Sequence, residues 1–273
     1  MKNLIVATDL SERGDRALQR AFLLASRVGA GLIIVTVVDD SLPDSIAETM
    51  ARAAETELAR IAKAHPLAAT VPHEIRVVRG DPALAIAALA AAERTDLLIL
   101  GVHRDRALAD FFRETTMERI VRQVACPVLL VRRPAVSPYG TVVAAVDFSP
   151  ASAAALRKAA EFAPEARLAA VHAIHVPYRG LMPADAVGSF LGEAETAEAG
   201  WRRAESLPEA LGKVALLEGA IGTVLTDAVR TEGADLVAVG AHARSGLHNA
   251  LIGSFAARMI RDAPCDLLIA RPA

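Results

Sequence analysis

We predict an α/β protein built from two doubly wound, parallel five-stranded sheets, each with strand order 3-2-1-4-5. Segments typical of strands and helices alternate along the whole chain. The strands predicted at the centre of each sheet are nearly continuous apolar runs, which is typical of parallel strands covered on both faces by helices. The first half of the chain is also repeated in the second half.

The repeat is visible in matched residues at a nearly constant offset. Asp9 matches Asp147, 138 residues later, and Gly101 matches Gly240, 139 residues later. The offset of 139 also joins these pairs: Gly80 with Gly219, Asp96 with Asp235, His103 with His242, Arg119 with Arg258 and Cys126 with Cys265. The sequence therefore predicts two domains, residues 1–134 and 138–273, joined by a short proline-containing linker.

The first half is predicted as five strands alternating with four helices. β-Branched residues indicate the first strand, and Ser11 is placed to cap the helix that follows. A proline in the first turn opens the alanine-rich third helix. The predicted elements are Asn3–Thr8, Ser11–Val28, Leu32–Val38, Ser45–Ala64, Glu74–Arg79, Pro82–Glu93, Asp96–Leu100, Thr116–Val124 and Pro127–Val131.

The second half repeats the same order of strands and helices. Its predicted elements are Thr141–Val146, Pro150–Phe162, Leu168–Ile174, Ala184–Ser206, Val214–Leu217, Thr223–Glu232, Leu236–Val239, Ser254–Arg261 and Leu267–Ala270.

Composition excludes several classes of protein. Hydrophobic residues make up 53% of the 273 residues, which is too many for a disordered chain. A net charge of −2 and an aromatic content of 4% argue against nucleic-acid binding. No apolar run approaches the ~20 residues that span a bilayer, and the acidic Asp9 interrupts any signal peptide. Two cysteines form no disulfide framework, so we expect a cytoplasmic protein.

In doubly wound sheets, ligands bind beyond the carboxyl ends of the strands, where the strand order reverses. Asp9 and Gly101 fall there in the first half, and Asp147 and Gly240 in the second. In the second half Gly253-Ser254 also opens a helix, whose free amide groups and positive dipole end attract anions. Taken alone, Gly253-Ser254 is more simply interpreted as a helix cap.

The segment Gly240–Cys265 resembles the signature loop of the universal stress protein family, and the whole chain resembles its tandem form. The nucleotide motif of that family is glycine, two residues, glycine, nine residues, then Gly-Ser or Gly-Thr. Here Gly240, Ala243 and Gly253-Ser254 occupy that spacing. Ala243 replaces the second glycine and adds a Cβ near the phosphates, so we expect it to weaken nucleotide binding.

The resemblance implies that the second half binds ATP, accompanied by Mg²⁺. Asp147 matches the acidic residue of the family's pocket, and Ala173 matches the residue whose backbone meets adenine. The implied site residues are Ala145, Val146, Asp147, Ala173, Val239, Gly240, Ala243, Gly253, Ser254 and Phe255.

The family resemblance also implies a regulatory protein of the stress response that acts through a protein partner. Domains of this family commonly pair through their last strands, which would otherwise be exposed edges. We therefore expect the two halves to pack as an intramolecular pseudo-dimer. A homodimer of whole chains is a further expectation.

The first-half loop departs from the motif. Arg104 and Glu114 stand where the second and third glycines belong, and Glu114 would repel phosphate. Thr115 and Glu118 have the spacing of a capping box. We predict that this half does not bind ATP and that Arg104 and Glu114 pair to fill the pocket. A second interpretation is that Arg104, Arg106 and Arg113 attract another anion.

The sequence offers no catalytic residues. It contains no Walker motif and no G-x-S-x-G elbow, and no Cys/His spacing resembles a zinc site. His103 and His242 are expected to orient their loops. Two alternatives to a regulatory ATP-binding protein stay open. One is an interaction module that binds no nucleotide, and the other is a slow ATPase.

Overall fold

The computed structural model describes residues 2–102, 116–176, 184–241 and 253–272. None of the helices in these ranges is long and apolar enough to span a bilayer. Each predicted element is present, with ends within two residues of the prediction. In chain order the elements are β1 Asn3–Ala7, α1 Glu12–Val28, β2 Gly31–Val38, α2 Asp44–Ala64, β3 His73–Arg79, α3 Pro82–Ala92, β4 Leu97–Gly101, α4 Thr116–Gln123, β5 Val128–Val131, β6 Thr141–Ala145, α5 Pro150–Phe162, β7 Arg167–Ile174, α6 Ala184–Ala204, β8 Ala215–Glu218, α7 Ile221–Glu232, β9 Leu236–Gly240, α8 Ser254–Asp262 and β10 Asp266–Ala270.

The strand order in each half is the one expected. In the first half it is β3-β2-β1-β4-β5, and in the second half, read from the matching edge, it is β8-β7-β6-β9-β10. Neighbouring strands are parallel; Ile5, for example, lies beside Ile33 on β2 and beside Leu98 on β4. The predicted order 3-2-1-4-5 is therefore confirmed for both halves. The expected pairing of the halves stays a prediction.

The core of each half lies around its central strands. On β1 the residues Leu4, Ile5 and Val6 are fully buried, and all five residues of β4 are buried. β6 and β9 repeat this pattern with Val142–Ala144 and Leu236–Val239. Because consecutive strand residues point to opposite faces, both faces of these strands are buried and no alternation with polar residues is needed.

The described residues divide into two compact units. Residues before Tyr139 form one unit, which also includes Gly253–Arg261, and the rest form the other. Most of α8 thus belongs with the first half, although the strands on either side of it in sequence, β9 and β10, belong with the second. The predicted boundaries at residues 134 and 138 stay a prediction.

Parallel pairing brings the carboxyl ends of β6, β7 and β9 to one edge of the second-half sheet. Ala145, the last residue of β6, lies beside Val171 on β7 and Val239 on β9. The residues that follow these strands are therefore the ones to consider for a site.

Candidate functional site

Asp147 follows β6 at the carboxyl edge of the second-half sheet. Its side chain is exposed, whereas Val146 is buried and Ala145 is half-buried. The Oδ1 atom of Asp147 accepts hydrogen bonds from the amide of Ser149 at 3.2 Å and from its hydroxyl at 2.6 Å. Ser149 therefore orients the carboxylate at the position where the sequence predicted an acidic site residue.

The matching carboxylate in the first half is bound by an arginine. Asp9 accepts hydrogen bonds from Ser11 in the same way, and its Oδ2 atom also accepts from Arg13 Nε at 3.0 Å and Arg13 Nη2 at 2.8 Å. Partial burial raises the pKa of Asp9, but the hydrogen bonds from Ser11 and Arg13 outweigh it and leave that pKa below its ordinary value. The residue that matches Arg13 in the second half is Ala151. No guanidinium reaches Asp147 from that position.

Three aromatic rings support the turn that carries Asp147. The ring of His172, on β7, stacks on the ring of Phe148 with centroids 4.3 Å apart. The ring of Trp201, on α6, has its centroid 5.6 Å from that of Phe148. His172 Nδ1 donates to the carbonyl of Val146 at 2.9 Å, and Trp201 Nε1 donates to the carbonyl of Ser149 at 3.1 Å. These contacts hold both ends of the turn.

The sequence alone did not indicate that His172, Phe148 and Trp201 lie together. A signal was available for Trp201, because it is the single tryptophan of the chain. A buried indole usually has a hydrogen-bond acceptor.

Gly240 is a glycine because β9 ends against the start of α5. A Cβ at Gly240 would lie 2.5 Å from the carbonyl carbon of Ala151 and 2.6 Å from the amide nitrogen of Ser152. Gly101 meets the backbone of Arg13 in the same way in the first half. Both glycines are therefore explained by packing of the strand end. Val239, just before Gly240, is buried, and Ala173 on β7 is half-buried.

Gly253 differs from Gly240 because no described neighbour requires a glycine. Among the described residues, nothing lies within 4 Å of a Cβ built there, and its φ is outside the left-handed region. Its carbonyl accepts from the amide of Ala257 at 2.9 Å, so Gly253 precedes the first turn of α8. The amides of Ser254, Phe255 and Ala256 have no intrahelical acceptor in such a turn. Ser254 is exposed and Phe255 is half-buried.

The predicted site residues fall into two groups. Ala145, Val146, Asp147, Ala173, Val239 and Gly240 lie in the second compact unit. Gly253, Ser254 and Phe255 lie in the unit of the first half. Ala243 lies outside the described residues, as do these residues of the two loops: His103, Arg104, Arg106, Arg113, Glu114, Thr115 and His242.

The capping box predicted for α4 falls partly outside the described residues. Its described member, Glu118, is buried, and its Oε1 atom accepts a hydrogen bond from Arg261 Nε at 2.5 Å. Glu118 is therefore engaged by the last turn of α8, which the sequence did not suggest.

Metal ligands are sparse at this edge. Within the described residues, no cluster of three or more His, Cys, Asp or Glu side chains could hold a metal ion. A Mg²⁺ ion that accompanied a nucleotide would therefore take its ligands from phosphates, water and Asp147. This set fits Mg²⁺, which commonly binds one or two carboxylates together with phosphates.

Comparison with known proteins identifies relatives for each half and for the whole chain. The family model described as "Universal stress protein family" matches residues 1–132 and again residues 138–271. A universal stress protein of Thermus aquaticus is 32% identical over 136 residues, which is 48% of this chain and 98% of that protein. Another from Methanocaldococcus jannaschii is 28% identical over 141 residues, 49% of this chain and 82% of that protein.

A solved structure resembles the full length. The crystal structure of a universal stress protein from Archaeoglobus fulgidus has a TM-score of 0.72 with 17% sequence identity. The match covers 99% of this chain and 98% of that one. At this identity the likeness concerns the fold.

Proposed function

The chain belongs to the universal stress protein family, and we propose that its second half binds ATP. In this proposal the bound state regulates a protein partner in the stress response. The first half serves as a copy without a nucleotide of its own. Cytoplasmic localisation and a homodimer of chains are further parts of this proposal.

Gly253 is the observation that carries the proposal. Gly240 and Gly101 are accounted for by packing, whereas no described neighbour and no left-handed φ accounts for Gly253. A glycine before a helix lets phosphate oxygens approach the first-turn amides without meeting a Cβ. A polyphosphate tail bound at Gly253, Ser254 and Phe255 explains why residue 253 is a glycine.

Asp147 supports the ribose end of the same ligand. Carboxylates at the ends of strands in doubly wound sheets accept hydrogen bonds from ribose hydroxyls. Asp147 is exposed, and Ser149 orients its Oδ1 atom. By family resemblance, the backbone of Ala173 meets the adenine, while Ala145, Val146, Val239, Gly240 and Ala243 complete the site.

The ion pair between Asp9 and Arg13 supports the proposal that the first half does not bind ATP. Two nitrogens of Arg13 already bind the Oδ2 atom of Asp9, so a ribose hydroxyl would have to displace an ion pair. Glu114 adds a negative charge where the motif has its third glycine.

Calorimetric titration with ATP tests the proposal, together with ion-exchange analysis of the nucleotide released when the purified protein is denatured. We expect Gly253→Glu to weaken ATP binding by at least about tenfold, because a carboxylate then repels the phosphates. The matched control is Gly192→Glu on α6, where a Cβ likewise meets nothing within 4 Å among the described residues. This control should bind ATP like the unmodified chain.

Two results would contradict the proposal. Absence of both released nucleotide and heat of ATP binding would favour the interaction module that binds no nucleotide. Equal ATP affinity in Gly253→Glu and Gly192→Glu would show that the start of α8 does not bind the phosphates. Steady release of phosphate from ATP that disappears in Asp147→Ala would instead identify the slow ATPase.

A further inference from the structure

The last turn of α8 is held by two side chains from the first half of the chain. Arg261 Nε donates to Glu118 Oε1 on α4 at 2.5 Å. At the same turn the carbonyl of Arg261 accepts from Arg132 Nη1, just after β5, at 3.4 Å. All three residues belong to the same compact unit. The helix whose start carries Gly253 and Ser254 is thus fixed at its other end.

Burial makes the Glu118–Arg261 pair a strong constraint. The Glu118 side chain is 4% exposed and that of Arg261 is 40% exposed. A carboxylate removed from water needs a positive partner in good geometry, so Arg261 cannot move away without a large cost. Arg132 adds a second cation at the carboxyl end of the helix, where the dipole favours positive charge. The backbone of Arg132 is held in turn, because its carbonyl accepts a hydrogen bond from Arg16 Nη1 at 3.2 Å.

The repeat indicates that the fold itself does not require this pair. The residue of the second half that matches Glu118 is Ala257, and the residue of the first half that matches Arg261 is Arg122. The helix α8 therefore forms with an alanine at the position that α4 fills with a buried glutamate. No residue of the second half repeats the role of Glu118, because the matching residue is alanine. A buried glutamate at this position is therefore a feature of the first half alone.

A short helix transmits the position of one end to the other. α8 has 9 residues, so at 1.5 Å per residue its ends are only about 13 Å apart along the axis. A shift or tilt of the last turn therefore displaces the amides of the first turn. Phosphate binding by amides depends on their placement to within a fraction of an ångström.

We propose that Glu118 and Arg261 are positioning residues that set the affinity of α8 for the phosphates of the nucleotide. A residue of the first half thereby controls phosphate binding by a helix that belongs to the same compact unit. This inference rests on the proposed function, because it concerns the same ligand.

The test compares ATP with adenosine, which has no phosphates, by calorimetric titration of the full chain. We expect Arg261→Met and Glu118→Gln each to weaken ATP binding by about tenfold, a typical coupling between sites. The double variant should lose little more than either single variant, because both changes break one pair. Adenosine affinity should stay unchanged in all three.

The control is Arg230→Met on α7, which removes an exposed arginine paired with Asp227 at 2.8 Å. It should change neither affinity. Equal loss of ATP and adenosine affinity in Arg261→Met would show general damage and overturn the inference. Unchanged ATP affinity in both single variants would also overturn it while leaving the proposed function intact. If the unmodified chain binds ATP no more tightly than adenosine, or binds neither, the proposed function itself is wrong.

Discussion

His65 lies in a setting that favours its neutral form. It follows α2 and stacks on the buried ring of Phe22, with centroids 4.2 Å apart and ring planes within 12°. The amide of Leu67 donates to His65 Nδ1 at 3.2 Å, so this nitrogen must keep its lone pair. Burial lowers the pKa of His65 below its ordinary value. Protonation of the ring therefore opposes folding of the first half.

We predict that the free energy of unfolding falls as the pH drops from about 7.5 to about 5.5. Because the pKa of His65 is lowered by folding, the unfolded chain binds more protons below about pH 6.5 and is favoured there. Urea unfolding at both pH values measures the effect. His65→Gln should flatten the pH dependence, whereas the same change at the exposed His175 should not. An equal pH dependence in His65→Gln and the unmodified chain would contradict this assignment.

At the scale of elements, the third helix of each half starts differently. Asp81 precedes α3 and its Oδ1 atom accepts from the amides of Ala83 at 3.0 Å and Leu84 at 3.1 Å. Arg119 on α4 donates to both oxygens of Asp81 at 3.0 Å and lowers its pKa together with these amides. The matching residue before α7 is Ala220, which has no side chain that can cap.

We predict that Ala220→Asp stabilises the protein by about 1 kcal/mol, the usual value of a helix N-cap. The backbone already has the required conformation, with φ −71° and ψ 133° at Ala220 against −65° and 126° at Asp81. Thermal unfolding measures the gain. The matched change Asp81→Ala should lower the melting temperature, because it removes a cap that is present. A destabilised Ala220→Asp variant would argue against a preformed cap position.

The start of α7 also shows where local signals are missing. The sequence predicted a start at Thr223. The helix instead begins at Ile221, since the amides of Thr223 and Val224 both donate to the carbonyl of Ala220. An alanine at the cap position gives no sequence signal, so the boundary was missed by two residues.

On the scale of the whole molecule, the two halves share a fold but differ in charge at the strand ends. The ion pair between Arg13 and Asp9 has no equivalent from position 151, because that residue is alanine. Duplication thus preserved the sheet and changed the residues around the candidate site. This difference leads us to expect one nucleotide per chain.

We predict that Asp147→Ala weakens ATP binding by about 10–100-fold, whereas the matched Asp9→Ala leaves it unchanged. The estimate corresponds to loss of a hydrogen bond to a charged group, about 1.5–3 kcal/mol. Calorimetric titration gives both the affinity and the stoichiometry, which should be one ATP per chain. Two ATP molecules per chain, or an effect of Asp9→Ala equal to that of Asp147→Ala, would show that both halves bind.

The architecture could be predicted from the sequence alone. Apolar runs such as Leu97–Leu100, the alternation of strands and helices, and the offset between Asp9 and Asp147 are local or repeated signals. They predicted the doubly wound architecture and the carboxyl edge where Asp147 and Gly240 lie. Such signals depend only on neighbours along the chain or on comparison of the two halves.

The side chains that contact one another could be identified only from the three-dimensional fold. Glu118 and Arg261 are 143 residues apart in sequence, and Trp201 is 52 residues from Ser149. Arg13 is close to Asp9 in sequence, and the chain between them passes through Leu10 in the left-handed region, with φ 60°. Hydrogen bonds and ion pairs act over a few ångströms, so their partners are fixed by the fold rather than by sequence spacing.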